Sequence, residues 1–428
     1  MKVEGTLRVP SDKSISHRAI ILGSLAQGET LVRNWLRSAD TLATLEIYRA
    51  LGVEIEELKE DQLLVRGKGL FSFKEPNDIL DAKNSGTTAR LTLGVLSAQP
   101  FFAVLTGDSS LRQRPMLRVV RPLREMGANL DGRGEGKYLP VAVRGGKLSG
   151  ISFFNQKASA QVKSALILAG LHAQGTTEVK EPYLSRDHTE RLLKLYEVPI
   201  EVEKGEKGIT VRVKGGYQPQ GDKEIFVPAD PSSASFFVAL AVLLPGSELV
   251  LKDVLVNPTR EGFFRKLKEM GANIEYTNFR EVSMEPVADI VARYSPNLKG
   301  VEVKPQEIPS LIDELPLLAV VATQAEGKTV IRGAQELRVK ESDRIKSTVE
   351  NLQRIGAKVE ELPDGMVVEG KTPLKGGVQI ATYGDHRIAM AFTVAGIVAG
   401  EFNELDNPSC VAVSYPLFFE DLKKVLRN

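Results

Sequence analysis

One cysteine, one tryptophan and four histidines are all that the 428 residues carry of these three types. The single Cys410 excludes intramolecular disulfides and any cysteine-rich metal cluster. His17, His172, His188 and His386 are scattered without ligand spacing, so no metal is expected. An excess of one charge is missing too: 56 Lys and Arg face 55 Asp and Glu. That balance removes the global field that would hold a chain on nucleic acid or an anionic membrane, so any anion site must be local. No apolar run approaches the ~18 residues that span a bilayer. The opening "MKVEGTLRVP" has no signal-peptide core, and a cytoplasmic location is the expectation. Also absent are the GxxxxGK[ST] phosphate loop, the Rossmann GxGxxG and HExxH, and no cofactor is expected.

What is present is repetition. A polar cluster, then about ten apolar or small residues, then a Gly or Pro stop recurs six times. The copies are "SDKSISHRAIILGSLAQG", "NSGTTARLTLGVLSAQP", "SAQVKSALILAGLHAQG", "DPSSASFFVALAVLLPG", "SLIDELPLLAVVATQAEG" and "YGDHRIAMAFTVAGIVAG". Their stops, Gly28, Pro100, Gly175, Gly246, Gly327 and Gly400, fall 71 to 81 residues apart. Between them run amphipathic helices ended by a small-residue turn, with Gly52, Gly127, Gly271 and Gly356 at the left-handed stop. The third copy has Glu197 there, and "SYPLFFEDLKKVLRN" reads as a sixth copy cut short. Alternating stretches such as "QLLVRGKG" and "ITVRVKGG" follow as strands.

Six units exceed one ordinary core, and three per domain is the natural division. The expected fold is α/β (α+β): two domains of three βαβαββ-like units, helices inside and sheets outside. The expected domains are residues 12–228 and residues 1–11 plus 229–428, with crossovers near 10–13 and 227–231.

In each repeat the polar cluster stands at a helix N-terminus, where unpaired N–H groups and the positive dipole end favour an anion. Capping accounts for the Ser, Asp and Asn residues. It does not account for Lys13, Arg18, Arg90, Lys163 and Arg387, which would repel the helix end unless an outside anion is bound. The second helices add Arg112 and Arg114, Ser185 and Arg186, and Arg338, Lys340 and Arg344 at their mouths. Helix mouths that converge make a cationic site in a neutral protein, and its partner should carry phosphates or carboxylates. Asp313 and Glu314, Glu341 and Asp343, and Asp385 and His386 lie among these cations. Some suit helix starts or ion pairs within a turn, yet carboxylates facing such a site also suit acid–base work.

Together "PSDKSISHR", "NSGTTARL", "RQRPM", "SAQVKSALILAG", "SRDHTE", "IDELP", "LRVKESDRI", "GDHRIAM" and "SYPLFF" resemble the enolpyruvyl transferases, in order and over essentially the whole chain. The resemblance is to the branch that acts on shikimate 3-phosphate. It implies two inside-out α/β barrel domains with the active site in the cleft between them. The first domain would take shikimate 3-phosphate and the second phosphoenolpyruvate. The implied reaction transfers the enolpyruvyl group of phosphoenolpyruvate to the 5-hydroxyl of shikimate 3-phosphate, releasing phosphate.

By the same resemblance, Lys13, Ser14, Arg18, Ser159, Ala160, Gln161, Ser185, Asp313 and Lys340 would hold shikimate 3-phosphate. Lys13, Asn84, Gly86, Arg114, Gln161, Arg344, His386 and Arg387 would hold phosphoenolpyruvate. Asp313 fits the base for the 5-hydroxyl, and Glu341, with Lys13, the acid. A monomer is expected. Four positions depart from some relatives: Ala160 stands for a second Ser, Glu336 for an Asn, His188 lies near a Tyr position, and Val413 stands for a Lys.

Two alternatives stay open at this level. The sister enzymes that use UDP-N-acetylglucosamine usually carry a catalytic Cys in the loop before the "RP" stretch, where this chain has Ser109 and Ser110. A non-catalytic anion- or RNA-binding repeat protein is disfavoured by the near-zero net charge and the lone Trp35.

Overall fold

The computed structural model describes all 428 residues. Twelve α-helices fall into six pairs: α1 (Lys13–Leu25) and α2 (Ala39–Ala50), α3 (Gly86–Leu96) and α4 (Leu117–Glu125), α5 (Ala160–His172) and α6 (His188–Leu195), α7 (Pro231–Leu243) and α8 (Gly262–Glu269), α9 (Leu315–Ala322) and α10 (Arg344–Arg354), α11 (His386–Ala399) and α12 (Phe418–Val425). The first of each pair is apolar nearly all round and buried to match. Every residue of α7 from Pro231 to Val242 is buried, as is every residue of α11 from His386 to Ile397. The second of each pair buries one stripe and exposes the other, as α4 does with Val119, Val120 and Leu123 inside.

The helix ends follow from single residues. Asp12, Ser85, Ser159, Asp230 and Asp385 cap α1, α3, α5, α7 and α11, each accepting a hydrogen bond from a backbone N–H in the first turn. The chain leaves the second helices through left-handed Gly52, Gly127, Gly271 and Gly356, and Glu197 takes the same conformation at φ +63°.

The chain forms two compact units. The first contains Ser11–Val227 together with Val282–Glu285, and the second contains Met1–Pro10, Pro228–Glu281 and Pro286–Asn428. The four-residue segment Val282–Glu285 is the tip of a hairpin whose strands belong otherwise to the second unit, an assignment that nothing in the repeat pattern announces.

Three four-stranded sheets of one design make up the β-structure of the first unit. In the simplest, Leu80–Asp81 runs parallel to Phe102–Thr106, which pairs antiparallel with Tyr138–Arg144, itself antiparallel to Asn129–Arg133. Ser152–Phe154, Thr176–Glu181, Gly208–Lys214 and Ile200–Gly205 repeat that order. The third copy is split: Gln27–Arg33 opens the unit, and its parallel neighbour Lys223–Phe226 is supplied about 190 residues later by the same unit's far end.

The second unit begins the design again, with sheets of five, four and two strands. Its first sheet pairs Lys2–Leu7 in parallel with Glu248–Leu255, and its second joins Glu302–Val303, Gly327–Ile331, Gly365–Gly370 and Lys358–Leu362. Its third has two strands, Gln379–Ile380 and Glu404–Leu405. Around α7, α9 and α11 the core of this unit is continuous, including Phe237, Leu240, Leu318, Val321, Met390 and Phe392. At about 1.5–3 kcal/mol per fully buried large apolar side chain, this burial is what holds the helices inside.

Outward faces carry a repeated charge pattern that fixes strand register. Arg66 stands opposite Glu29 and Glu54, Arg212 opposite Glu178 and Glu201, and, with the signs exchanged, Glu369 opposite Lys328 and Lys358. A one-residue slip would turn each central charge to the other face of its strand.

Candidate active site

In the first unit the mouths of α1, α3, α5 and α6 gather the motif residues. The Arg18 side chain, almost wholly buried, donates from Nε to Thr189 Oγ1 at 2.8 Å, from Nη2 to Ser164 Oγ at 3.1 Å and from Nη1 to the Ser14 carbonyl at 3.1 Å. Arg90 donates to Gln161 Oε1 at 2.5 Å and to the Pro115 carbonyl at 2.9 Å, while Gln161 Nε2 donates to Thr87 at 3.1 Å. Arg114 donates to the Asn84 carbonyl. These bonds fix the guanidinium planes.

Between Arg90 and Arg114 lies the start of α3. A Cβ on Gly86 would come within 2.9 Å of an Arg90 nitrogen and 3.3 Å of an Arg114 nitrogen, so two cations face bare backbone there. Lys13 sits 3.0 Å from Asp40 in the first turn of α2. His17 bonds Thr44 at 2.7 Å, and burial, helped by Lys13 and Arg18, pushes its pKa well down, so it stays neutral.

Three residues of this unit also have partners within the protein. Lys163, grouped above with the cations that need an outside anion, is fully buried between Glu181 at 3.1 Å and Glu190 at 3.0 Å. Burial opposes its charge, but the two carboxylates outweigh burial and raise its pKa. It is a core cation with protein counter-ions. Ser185 donates its hydroxyl to Glu181 at 3.0 Å, and Ser159 spends its side chain capping α5. Ala160 is the first residue of that helix.

The second unit assembles a different cluster. Arg344, with 1% of its side chain exposed, lies 2.8 Å from Asp385 Oδ2, 2.7 Å from Glu341 Oε2 and 3.2 Å from Asp313 Oδ1. Burial works against its charge, and the carboxylates of Asp385, Glu341 and Asp313 more than offset it, so its pKa rises. For Lys340 the balance falls the other way. Burial pulls it down to about 8, with Asp313 holding it up and Arg344 depressing it further. His386 bonds Ser414 Oγ through Nδ1 at 2.8 Å and turns Nε2 toward Glu341 Oε1 at 4.0 Å. Arg387 is 4% exposed, and its Nε and Nη1 have no hydrogen-bond partner. A buried guanidinium in that condition is poised for an anion.

Neighbours decisive for these groups carried no role in the sequence reading, although Ser164, Thr189 and Ser414 lie inside the quoted motifs. Asp40 beside Lys13, Thr189 and Ser164 beside Arg18, and Ser414 beside His386 come from other helices or turns, and one-dimensional spacing carries no signal for them. Elsewhere in the first unit, Asp187, His188 and Glu285 bring ligand-type atoms within 4.8 Å of one another, although the scattered histidines gave no ligand spacing. Arg191 supplies positive charge there, 3.1 Å from Asp187 and 3.9 Å from Glu285, and His188 bonds Glu285 at 2.7 Å.

Comparison with known proteins bears on what this arrangement serves. A family model described as EPSP synthase (3-phosphoshikimate 1-carboxyvinyltransferase) matches residues 1–422. A 3-phosphoshikimate 1-carboxyvinyltransferase of Aquifex aeolicus is 60% identical over 425 residues, 99% of this chain and 98% of that protein. The corresponding protein of Persephonella marina is 59% identical over 427 residues, 100% of this chain and 98% of its own length. Among solved structures, EPSP synthase from Acinetobacter baumannii superposes with a TM-score of 0.85 at 42% identity, covering 99% of this chain and 96% of that one. The enolpyruvyl transferase NikO from Streptomyces tendae, at 18% identity and a TM-score of 0.78 over 99% of this chain and 95% of its own, shares the fold.

Proposed function

Because the chain belongs to the EPSP synthase (3-phosphoshikimate 1-carboxyvinyltransferase) family, we propose a division of labour for its residues in that family's reaction. The enzyme transfers the enolpyruvyl group of phosphoenolpyruvate to the 5-hydroxyl of shikimate 3-phosphate, and its two domains have the inside-out α/β fold of its relatives. Lys13, Ser14, Arg18, Ser159, Gln161, Ser185 and the backbone of Ala160 take the phosphate and ring of shikimate 3-phosphate, with Asp313 and Lys340 on its hydroxyls. Lys13, Asn84, Gly86, Arg114, Gln161, Arg344, His386 and Arg387 take the phosphate and carboxylate of phosphoenolpyruvate.

The chemistry then follows. A proton added to the methylene carbon of phosphoenolpyruvate makes its C2 electrophilic. The 5-oxygen forms a bond to C2 and gives up its proton to Asp313. Loss of a proton from the new methyl group, with cleavage of the bond from C2 to the phosphate oxygen, restores the enol and releases phosphate. Glu341, aided by Lys13, is the acid. Asp313 and Glu341 are both tied to Arg344, whose guanidinium offsets the repulsion between two carboxylates held close together.

The observation that carries this reading is the Asp313, Lys340, Glu341, Arg344 and His386 cluster, where acid–base groups share one buried guanidinium. Proton transfers and carbon–oxygen exchange of this kind call for no cofactor or metal. The enzyme works as a cytoplasmic monomer in this reading, and no helix is long and apolar enough to cross a membrane. Phosphate release from phosphoenolpyruvate with either acceptor tests it. Release with shikimate 3-phosphate alone is expected, and release only with UDP-N-acetylglucosamine, or with neither, would overturn it.

A further inference from the structure

The 3-10 turn Pro408–Val413 ends at Ser414, a buried residue packed beside α11. Its hydroxyl lies 2.8 Å from His386 Nδ1. We propose that Ser414 is a positioning residue for the reaction: it holds His386 in the tautomer that carries hydrogen on Nε2 and presents that N–H to Glu341.

The opposite edge of the ring supplies the reason. His386 Nε2 lies 3.5 Å from Arg344 Nη2 and 4.0 Å from Glu341 Oε1. A guanidinium NH2 group has two hydrogens. Arg344 Nη2 is 2.7 Å from Glu341 Oε2 and 3.2 Å from Asp385 Oδ1, and these charged acceptors claim both. The Nε2 edge therefore faces a carboxylate, which attracts an N–H and repels a lone pair. With hydrogen on Nε2, Nδ1 must accept, and the Ser414 hydroxyl donates to it.

Charged and titratable groups around the ring agree with this assignment. Asp385 and Arg387 flank it on its own helix, Lys340, Glu341 and Arg344 come from the start of α10, and Asp313 comes from the turn before α9. From the 3-10 turn comes Cys410, whose thiol burial pushes up to about 11, so it adds no charge.

The inference rests on the reading of Glu341 as the acid. Without Ser414 the hydrogen can move to Nδ1, and a lone pair then faces Glu341, which would hold its proton more tightly. Three variants of the full chain test this: Glu341→Gln identifies the pH limb that belongs to Glu341, Ser414→Ala removes the donor, and Ser414→Thr restores it. In Ser414→Ala the limb should move to higher pH and kcat should fall about fivefold, the scale of one lost hydrogen bond, with little change in KM for shikimate 3-phosphate. Ser414→Thr should recover both. An unmoved limb and unchanged kcat in Ser414→Ala would overturn the inference, while a wild-type enzyme inactive with shikimate 3-phosphate would instead overturn the functional reading. The wild type also gives an answer alone. 15N spectra of histidine-labelled protein, with the His386 signal assigned by its loss in His386→Gln, should show hydrogen on Nε2; hydrogen on Nδ1 would refute the role.

Discussion

Arg18 in the first unit and Arg344 in the second are both buried arginines among helix mouths, and their surroundings differ in kind. Arg18 is held by Thr189, Ser164 and the Ser14 carbonyl, all uncharged, whereas Arg344 is held by Asp313, Glu341 and Asp385. Hydroxyl and carbonyl partners aim a guanidinium. Carboxylate partners are themselves set in place by the cation they share. In the proposed division of labour, one repeat design serves as an anion grip in one setting and as a proton-handling cluster in the other.

The sharpest way to break this comparison is to delete both cations. Arg344→Gln leaves three carboxylates in a buried place without their counter-ion and should destabilise the second unit by about 3–5 kcal/mol. Arg18→Gln removes hydrogen bonds to uncharged groups and should cost about 1–2 kcal/mol. Thermal denaturation of the two variants decides it, and equal losses would erase the distinction.

Arg387 tests the grip within the second unit. Its Nε and Nη1 have no protein partner, so Arg387→Gln should raise KM for phosphoenolpyruvate roughly 10- to 100-fold, the scale of a lost charged hydrogen bond, with little effect on Tm. A large fall in Tm with an unchanged KM would make Arg387 structural.

Much of this organisation was legible in one dimension, and the reasons are physical. Six apolar runs at a near-constant spacing suit inner helices, so the repeat and the helix stops could be read from the chain. Burial of a charged group could not. Lys163 occupies the same place in its repeat as the motif cations, yet Glu181 and Glu190, 18 and 27 residues away, bury it as a core ion group. The pairings of Asp40 with Lys13 and of Ser414 with His386 went unread for the same reason: a partner supplied by another element has no fixed spacing from the residue it orients.

A smaller effect sharpens the contrast through pH. Lys340, pulled to about 8 by burial, should give kcat/KM for shikimate 3-phosphate an alkaline limb near pH 8, because the cation is lost above that value. Glu336 is one of the carboxylates holding Lys340 up, so Glu336→Gln should move the limb to lower pH. A limb that stays put would detach Lys340 from binding. Smallest of all is Glu197, the left-handed residue where four sister turns have Gly. Glu197→Gly relieves about 1–2 kcal/mol of backbone strain and loses part of it to unfolded-state entropy, so the net gain should be below about 1 kcal/mol. Loss of stability on denaturant unfolding would show that its 3.2 Å contact with Lys223 matters more than the turn.

The central claim, that the carboxylates around Arg344 move protons while the cations of the helix mouths hold the substrates, is tested most directly with Asp313→Asn. Calorimetric binding of shikimate 3-phosphate and turnover would be measured on the same preparation. The expected result is a Kd changed by only a few-fold and a kcat lowered by about 10²–10⁴, as for removal of a general base. Turnover retained at near wild-type level would contradict it.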